Sequence, residues 1–577
     1  MDASILARLF HHAQTSPSKR VYAYLERGER LAASLDYAQL QQNVLATASA
    51  LIDLGYEGER ALLLYANPLE FVQSFLACLA AGVTAVPLAV PSARHAASVA
   101  AIARNATIAC VLAGRREQQQ LQSLLEPELD ATPWHCFDGM ELETSSGAIR
   151  QAEAIAYGGG SRLAFLQYTS GSTGTPKGVM VSHANLMANE AVIGEAMRMH
   201  RDSVVVGWLP HFHDMGLIGN LLQPLYQGAE CVLMQPVDFI QKPLRWLRAV
   251  SDYGGTVSGG PNFAYDLCVA KTSEETRQGL DFSRWEVAFT GAEPIKGETL
   301  RRFAAAFEAH GLRRSTLYPC YGMAESTLFI TGEQQGRAPL IVSLRSDALT
   351  IGAAVVPVAA DTPLAAEFVG CGLPRQDARI RIVHPDTLQA LPEGHVGEIW
   401  AQGGSIALGY YANPQASEHG FAAQLSGEAG NWLRTGDLGV MHAGQLFVVG
   451  RLKDVLVVRG RNYYPQDIEH SALLADAEAL ATGGGAVFQR QAPHDEEVVL
   501  VQELTRQGVR QADLPALQAA VRALVIERHG IALGDIVFIK PGQLPRTTSG
   551  KVRRNRCREL YECGGFEPLD AVEPVEV

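Results

Sequence analysis

Hydrophobic and polar positions in the first half of the chain alternate between helical and strand-like spacing. From Tyr37 to Ile52 apolar residues recur every three or four positions, with Asp36 placed to cap the run and Gly55 to end it, which predicts a helix. Another helix is predicted over about 69–81. Continuous apolar runs, which predict buried strands, lie at 61–65, 84–90, 204–210, 231–236 and 285–294. Strand, helix and strand in succession is typical of a parallel α/β sheet, so residues 1 to about 350 are predicted to form a large α/β region.

The pattern changes after this region. Short strands separated by Gly, Pro and Asp turns are predicted at 378–383, 397–403 and 444–450, which indicates a smaller β-rich subdomain. After Arg451 short strands accompany two predicted helices, at about 466–476 and 513–529. That is enough for an independent domain of roughly 120 residues. The fold class predicted is therefore α/β, with a large N-terminal domain of two α/β subdomains and a β-rich subdomain, followed by a small α+β C-terminal domain.

Composition narrows the function classes. The 577 residues carry 48 Lys+Arg against 61 Asp+Glu, a net charge of −13, which argues against bulk nucleic-acid binding. Nine cysteines without a C-x-x-C pair favour reduced thiols over a disulfide framework or a structural zinc site. The N-terminus does not resemble a secretory signal. The longest uncharged apolar run, 75–90, is shorter than the ~18–20 residues of a spanning helix. We expect no transmembrane segment and a cytoplasmic protein.

Glycine and proline, 55 and 28 residues, cluster at particular places. The densest cluster reads Tyr-Thr-Ser-Gly-Ser-Thr-Gly-Thr-Pro-Lys-Gly over 168–178, after an apolar stretch and before a helix predicted from about Ala184. Small residues in such a run let backbone N–H groups and hydroxyls surround phosphate oxygens, and Lys177 adds a positive charge. It is not a Walker motif, because Pro176 precedes Lys177. A flexible Ser/Gly-rich loop is the alternative.

The cluster resembles the signature loop of the adenylate-forming superfamily of acyl-CoA synthetases, luciferases and peptide-synthetase adenylation domains. Further segments resemble its other motifs, in the expected order. These are Gly-Ala-Glu-Pro at 291–294, Tyr-Gly-Met-Ala-Glu at 321–325, Trp-Leu-Arg-Thr-Gly-Asp-Leu at 432–438, Gly-Arg-Leu-Lys-Asp at 450–454 and Pro-Arg-Thr-Thr-Ser-Gly-Lys at 545–551. The resemblance implies that a substrate carboxylate attacks the α-phosphorus of ATP and that pyrophosphate is released.

The resemblance also implies roles for individual residues. The phosphates of ATP would be bound by Thr169, Ser170, Gly171, Ser172, Thr173, Gly174 and Lys177. The adenine would contact Gly291, Ala292, Glu293, Tyr321, Gly322, Met323 and Ala324. Asp437 would accept hydrogen bonds from the ribose hydroxyls, reinforced by Arg451, and Lys453 would be the hinge. Glu325 would bind Mg²⁺, and Lys551 would stabilise charge in the transition state. Taken alone, Glu325 would be a surface carboxylate on a loop and Lys551 one more charge in a basic tail.

A separate element reads His-Phe-His-Asp-Met-Gly over 211–216. Two histidines two apart suggest a metal site, but no third ligand is evident nearby. The segment resembles the family's Phe-His-x-x-Gly element beside the acyl pocket. That pocket would be formed by His213, Asp214, Met215, Gly216, Gly260 and Pro261, with His213 also a catalytic candidate. Packing alone is the alternative. His213 stands where peptide-synthetase domains usually place an aspartate, which disfavours amino acids as substrates.

The interval from Glu325 to Cys371 holds 45 residues, 326–370, and its apolar segment at about 343–363 is predicted to pack. Long connections inside a domain are usually functional. The interval resembles the insertion that marks fatty acyl-AMP ligases. The implied domains are 1–450 (AMP-binding, catalytic), 451–455 (hinge), 456–565 (mobile C-terminal domain) and 566–577 (acidic tail).

An insertion packed on the C-terminal domain would restrict its swing and hinder coenzyme A. A fatty acid would then pass through acyl-AMP to the phosphopantetheine thiol of a separate acyl carrier protein, in polyketide, nonribosomal peptide or lipid biosynthesis. A basic segment, which could dock an acidic carrier or be a solvated charge run, consists of Arg546, Lys551, Arg553, Arg554, Arg556 and Arg558. Two alternatives remain. One is a medium- or long-chain acyl-CoA synthetase; the other is a non-catalytic sensor, which would be marked by loss of Lys551 or Glu325, and both are present.

Overall fold

The computed structural model describes residues 4–137, 144–169, 176–362, 364–458, 461–491, 496–546 and 551–569. Two mainly parallel sheets form the first part of the chain. The eight-stranded sheet has the spatial order Phe329–Gly332, Leu317–Gly322, Val287–Thr290, Val257–Gly259, Val204–Gly207, Glu230–Leu233, Arg20–Glu26 and Arg30–Asp36. The six-stranded sheet has the order Trp134–His135, Cys110–Ala113, Arg60–Leu64, Thr84–Pro87, Leu163–Thr169 and Lys177–Ser182. Antiparallel pairing in both occurs at edge strands. The predicted fold class is confirmed.

Helices cover and join these sheets. They span Ile5–Thr15, Tyr37–Asp53, Pro68–Ala80, Ala96–Asn105, Arg115–Leu129, Ser146–Gly158, His183–Ala196, Gln223–Gln227, Pro236–Gln241, Leu244–Asp252, Asn262–Lys271, Glu274–Arg277 and Gly297–Phe307. The helix predicted after Asp36 begins at Tyr37, and Asp36 and Gln39 form a capping box there. The strand predicted over 84–90 ends earlier, at Pro87, since Pro87 and Pro91 lack the N–H that a longer ladder would need.

A four-stranded antiparallel sheet forms the β-rich part. Its strands are Arg379–Val383, Gly397–Gln402, Leu433–His442 and Gln445–Arg451, with a helix at Pro414–Phe421. The sequence did not predict the strand Leu433–His442, because Gly436 and Gly439 interrupt its apolar pattern. Gly436 adopts φ +70°, and the register shifts along this strand. Asp437 is thereby paired with Arg451 on the neighbouring strand.

The segment between Glu325 and Cys371 packs against this sheet. Its strand Ile341–Arg345 pairs antiparallel with Ala365–Val369. Leu344 and Leu349 are fully buried, in a cluster that includes Phe447 from the four-stranded sheet and Tyr464 from beyond the predicted hinge.

The C-terminal part contains the hairpin Leu456–Val458 and Arg461–Tyr463 and a three-stranded sheet of Leu480–Gln491, Glu496–Leu504 and Asp535–Ile539. Its helices are Pro465–Leu473, Gly508–Gln511, Leu514–His529 and Arg554–Glu562. Both helices predicted here are present. Throughout the ranges that the structure describes, no helix combines the length and the hydropathy needed to cross a membrane.

Candidate active site

A cleft of about 2120 Å³ opens where the carboxyl ends of the parallel strands meet the β-rich sheet and the C-terminal part. Most of the predicted site residues line it. They are Thr169, Lys177, His213, Asp214, Met215, Pro261, Gly291, Ala292, Glu293, Tyr321, Gly322, Met323, Ala324, Glu325, Asp437, Arg451, Lys453 and Lys551. Ser170, Gly171, Ser172, Thr173 and Gly174 lie outside the described residues. Segments from the whole chain, predicted separately, therefore meet at one place.

Asp437 has both carboxylate oxygens oriented by hydrogen bonds. The Tyr321 hydroxyl donates to Oδ2 at 2.8 Å, and Arg451 Nε donates to Oδ1 at 3.1 Å. Burial, assisted by the charge of Asp437, raises the pKa of Tyr321 well above its ordinary value, so this hydroxyl remains a donor. Each carboxylate oxygen keeps a lone pair for another donor. The arrangement presents a fixed acceptor to a pair of ligand hydroxyls.

Glu325 lies in a single turn, Ala324–Ser326, directly after the strand Leu317–Gly322. Its Oε1 accepts a hydrogen bond from the Tyr410 hydroxyl at 2.8 Å. Lys177 Nζ lies 4.8 Å from the centroid of the same tyrosine ring. Within the described ranges no cluster of three or more His, Cys, Asp or Glu side chains could enclose a metal ion. A carboxylate close to a tyrosine that also contacts Lys177 does fit Mg²⁺, which is usually held by one or two carboxylates together with substrate phosphates and water.

Lys551 extends from the C-terminal part into the cleft, near Arg451 and the carboxylates of Asp214, Glu293 and Asp437. Lys551 is exposed to the solvent of the open cleft, although protein atoms of the cleft walls surround it. Its depth lowers the pKa of the ammonium group, and the charge of Arg451 lowers it further. Lys551 is thus a cation that lies near both positively and negatively charged side chains.

The two histidines after the strand Val204–Gly207 have different surroundings. His211 Nε2 lies 2.8 Å from the Tyr65 carbonyl, and burial lowers the pKa of His211 to about 4. It is a neutral, structural side chain. His213 Nδ1 lies 2.6 Å from Asp214 Oδ1 at the mouth of the cleft. Burial acts to raise the pKa of Asp214, but His213 and then Lys551 outweigh it and hold that pKa below its ordinary value.

Backbone geometry explains several of the small residues. Ala292 has φ +67°, and this turn directs the Glu293 carboxylate to the Phe263 N–H at 2.7 Å, where it caps a helix. A Cβ on Gly216 would lie 2.0 Å from the Pro210 carbonyl oxygen, and one on Gly260 would lie 2.4 Å from the Trp208 ring. Gly216 and Gly260 do not line the cleft with the other predicted residues; they permit close packing behind its wall.

Sequence reasoning missed the apolar wall of the cleft. It is formed by Ile193, Met197, Met199, Val257, Phe289, Cys320, Leu328 and Phe329. These residues come from a helix end, parallel strands and a turn far apart in the chain, so no local pattern marks them. It also missed the role of Tyr410, although the Gly-Tyr-Tyr run at 409–411 was a visible signal.

The predicted basic segment is partly neutralised within the protein. Arg546 pairs with Glu503 at 3.1 Å and Arg556 with Glu559 at 2.7 Å. Arg554 Nε and Nη2 each donate to Glu469 at 2.7 Å.

Comparison with known proteins agrees with this geometry. Residues 9–411 match the AMP-binding enzyme family, and residues 453–567 match the Disco-interacting protein 2-like AMP domain. The medium-chain-fatty-acid–[acyl-carrier-protein] ligase JamA of Moorena producens is 37% identical, over 99% of this chain and 97% of the relative. The long-chain-fatty-acid–AMP ligase FadD26 of Mycobacterium marinum is 34% identical, over 99% of each chain.

A solved structure of a fatty acyl-adenylate ligase is also similar to this chain. The fatty acyl-adenylate ligase from Legionella pneumophila, in complex with acyl adenylate and pyrophosphate, is 36% identical, with a TM-score of 0.73 over 97% of this chain and 96% of that one. The chain therefore belongs to the AMP-binding enzyme family of ligases and, within that family, to the fatty acyl-AMP ligases.

Proposed function

We propose that this enzyme joins a fatty acid to AMP, releasing pyrophosphate from ATP, and then passes the acyl group to the phosphopantetheine thiol of a separate acyl carrier protein. One observation carries the proposal. A single cleft joins an apolar wall to the fixed Asp437 carboxylate and to the cations Lys177 and Lys551. The fatty-acid and carrier-protein names of the relatives agree with such a substrate and acceptor.

The adenylation step needs two anions to approach each other. A fatty-acid oxygen attacks the α-phosphorus, forming a carboxyl–phosphate bond while the bond to the β-phosphate oxygen breaks and pyrophosphate leaves with that electron pair. Lys551 would neutralise the charge gathered between carboxylate and α-phosphate, a stabilisation expressed in the transition state. Lys177 and the loop from Thr169, including residues 170–174, would bind the β- and γ-phosphates. His213, oriented by Asp214, would line the entrance to the acyl pocket.

The nucleotide would be oriented by the remaining residues. Asp437, with Tyr321 and Arg451 fixing its oxygens, would accept hydrogen bonds from both ribose hydroxyls. The loops at 291–293 and 321–324 would contact the adenine. Glu325 would hold Mg²⁺, which supplies charge neutralisation on the phosphates when bound.

We also propose that residues 451–455 separate the catalytic domain from the C-terminal domain, with Lys453 as the hinge. Within the described ranges no disulfide joins two cysteines, which agrees with the proposed cytoplasmic location.

The choice of acceptor follows from the inserted segment, about 343–363. The Tyr464 hydroxyl donates to the Leu349 carbonyl at 3.0 Å, and Tyr464 is 3% exposed in the cluster with Leu344 and Leu349. Leu452 and Val455, from the hinge region, pack against the same cluster. A large rotation after the hinge would expose these side chains, at about 1.5–3 kcal/mol for each fully buried one. This restraint favours a carrier protein over coenzyme A.

The basic segment at 546–558 is the proposed docking surface for the carrier. Carrier domains are typically acidic, and a basic surface would steer their approach. Since Arg546, Arg554 and Arg556 have carboxylate partners within the protein, docking would depend mainly on Arg553 and on Arg558, which is exposed.

The purified chain should be incubated with fatty acids of different lengths, ATP and Mg²⁺, and its products separated by mass spectrometry. We expect acyl-AMP and an equal amount of pyrophosphate, with coenzyme A adding little acyl-CoA. Rapid acyl-CoA formation would instead assign the protein to the acyl-CoA synthetases. Absence of both products with every chain length would contradict adenylation itself.

A further inference from the structure

Residues 405–410, here called the strap, connect the turn that carries Glu325 to the strand that begins with Lys177. On one side the Ala407 N–H donates to the Glu325 carbonyl at 3.0 Å. On the other side the strap pairs with the strand that follows the phosphate loop: Leu408 N–H donates to the Met180 carbonyl, and Met180 N–H donates to the Gly409 carbonyl, both at 2.9 Å. The strap therefore fixes the spacing between Glu325 and that strand.

The segment carrying Glu325 is held in a strained turn by the same strap. Thr327 has φ +68° and ψ −61°, and Leu328 N–H donates to the Ser326 carbonyl at 2.8 Å, which is a γ-turn of the rare, strained kind. The Thr327 hydroxyl donates to the Ser405 carbonyl at 2.7 Å. A β-branched residue keeps such a conformation only where its surroundings over-determine it, and this occurs mainly at functional sites.

Tyr410, at the end of the strap, contacts both functional side chains directly. Its hydroxyl donates to Glu325 Oε1 at 2.8 Å, while its ring lies 4.8 Å from Lys177 Nζ. The ring is held in place by Phe421, edge to face at 5.1 Å, and by the Ser417 hydroxyl, which accepts the Tyr410 N–H at 2.8 Å. One side chain thus contacts both a carboxylate and a cation of the cleft.

From this geometry we propose that Tyr410 is a positioning residue for adenylation: its hydroxyl holds the Glu325 carboxylate in an orientation that would bind Mg²⁺, and its ring positions Lys177, which would bind the phosphates of ATP. The inference rests on the proposed function, because it assigns Glu325 to the metal and Lys177 to ATP. Groups that orient a metal-binding carboxylate typically change metal affinity when they are removed.

Tyr410→Phe separates the two contacts, because it removes the hydroxyl and keeps the ring. We expect the Mg²⁺ concentration for half-maximal acyl-AMP formation to rise roughly 10- to 100-fold. Calorimetry gives a readout independent of turnover: the affinity for ATP in EDTA should stay at the wild-type value, while the gain in affinity on adding Mg²⁺ shrinks. Tyr410→Leu, which also loses the ring, should in addition weaken ATP binding in EDTA.

Tyr411→Phe is the matched control. Its hydroxyl lies 3.2 Å from Thr107 Oγ1, away from Glu325, and its removal should leave every parameter unchanged. The inference is overturned if Tyr410→Phe keeps the wild-type Mg²⁺ dependence, or if it weakens ATP binding equally with and without Mg²⁺, as a packing role predicts. If wild-type enzyme forms no acyl-AMP, the proposed function fails, and the calorimetric comparison still decides whether Tyr410 positions Glu325.

Discussion

The Tyr464 hydroxyl, beyond the predicted hinge, donates a hydrogen bond to the carbonyl oxygen of Leu349, in the segment predicted to be an insertion, at 3.0 Å. Both side chains are buried in one cluster, Tyr464 at 3% exposure and Leu349 at 1%. The contact links the predicted insertion to the part of the chain that would have to rotate for transfer to coenzyme A.

Weakening this contact should increase the use of coenzyme A. Leu349→Ala removes buried side-chain volume, typically at a cost of about 2–5 kcal/mol to the packed arrangement. We expect the ratio of acyl-CoA to acyl-AMP to rise severalfold, and deletion of residues 343–363 to raise it further. Product analysis with coenzyme A present measures both. Leu31→Ala, at a leucine that is 43% exposed, should leave the ratio unchanged; an equal rise in that variant would contradict the restraint.

Lys551→Ala should remove adenylation and leave ATP binding nearly intact, because the ammonium group acts mainly on charge that develops in the transition state. Loss of one such group typically lowers the rate about 10²- to 10³-fold. Pyrophosphate release measures the rate, and calorimetry measures ATP affinity. Lys540→Ala, at an exposed lysine of the same domain, is the control. Wild-type pyrophosphate release from Lys551→Ala would refute the assigned role.

The adenylation rate should fall at alkaline pH, and earlier than an ordinary lysine would require. The protein atoms that surround Lys551 in the cleft, and then the charge of Arg451, lower the pKa of Lys551 from its ordinary value of 10.5. As the pH rises through this lowered pKa, Lys551 loses its charge and the transition state loses its partner. In Lys551→Arg the guanidinium stays charged, so the reduced activity should lack this alkaline fall. The pH–rate profiles of pyrophosphate release compare the wild type with Lys551→Arg. If both rates fall over the same alkaline pH range, deprotonation of Lys551 is not the cause.

Asp437→Asn should raise the KM for ATP roughly 10- to 100-fold, the loss expected for hydrogen bonds to a charged acceptor. The amide keeps one acceptor oxygen, but an NH₂ group replaces the other oxygen and cannot accept a hydrogen bond from a donor. Steady-state kinetics with varied ATP and saturating fatty acid provides the measurement. Asp202→Asn, at a side chain that is 80% exposed, should match the wild type. A changed rate at saturating ATP with an unaltered KM would contradict a ribose-binding role.

Local patterns predicted much of the fold. Asp36 and the apolar spacing after it were enough to predict the helix Tyr37–Asp53, because capping and amphipathic burial are properties of neighbouring residues. The strand Leu433–His442 was not predicted, because glycines needed for its irregular register also disguise its periodicity.

The candidate site, too, could be predicted only where its residues stand in local sequence motifs. Lys551 and Glu325 stand within recognisable motifs, whereas the apolar wall combines Met197, Phe289 and Leu328 from separate elements. Their proximity is created only when the sheet and its helices assemble. The contact between Tyr410 and Glu325 likewise joins residues 85 positions apart. The acyl-chain preference therefore depends on tertiary packing that no local sequence pattern records.

A single-turnover competition shows whether coenzyme A or a carrier protein receives the acyl group. Wild-type enzyme is first loaded with radiolabelled fatty acid, ATP and Mg²⁺ to form acyl-AMP, and is then mixed with equal concentrations of coenzyme A and a phosphopantetheine-bearing acyl carrier protein. We predict that the label moves to the carrier protein while acyl-CoA stays a minor product. Transfer of most of the label to coenzyme A would instead make this enzyme an acyl-CoA synthetase.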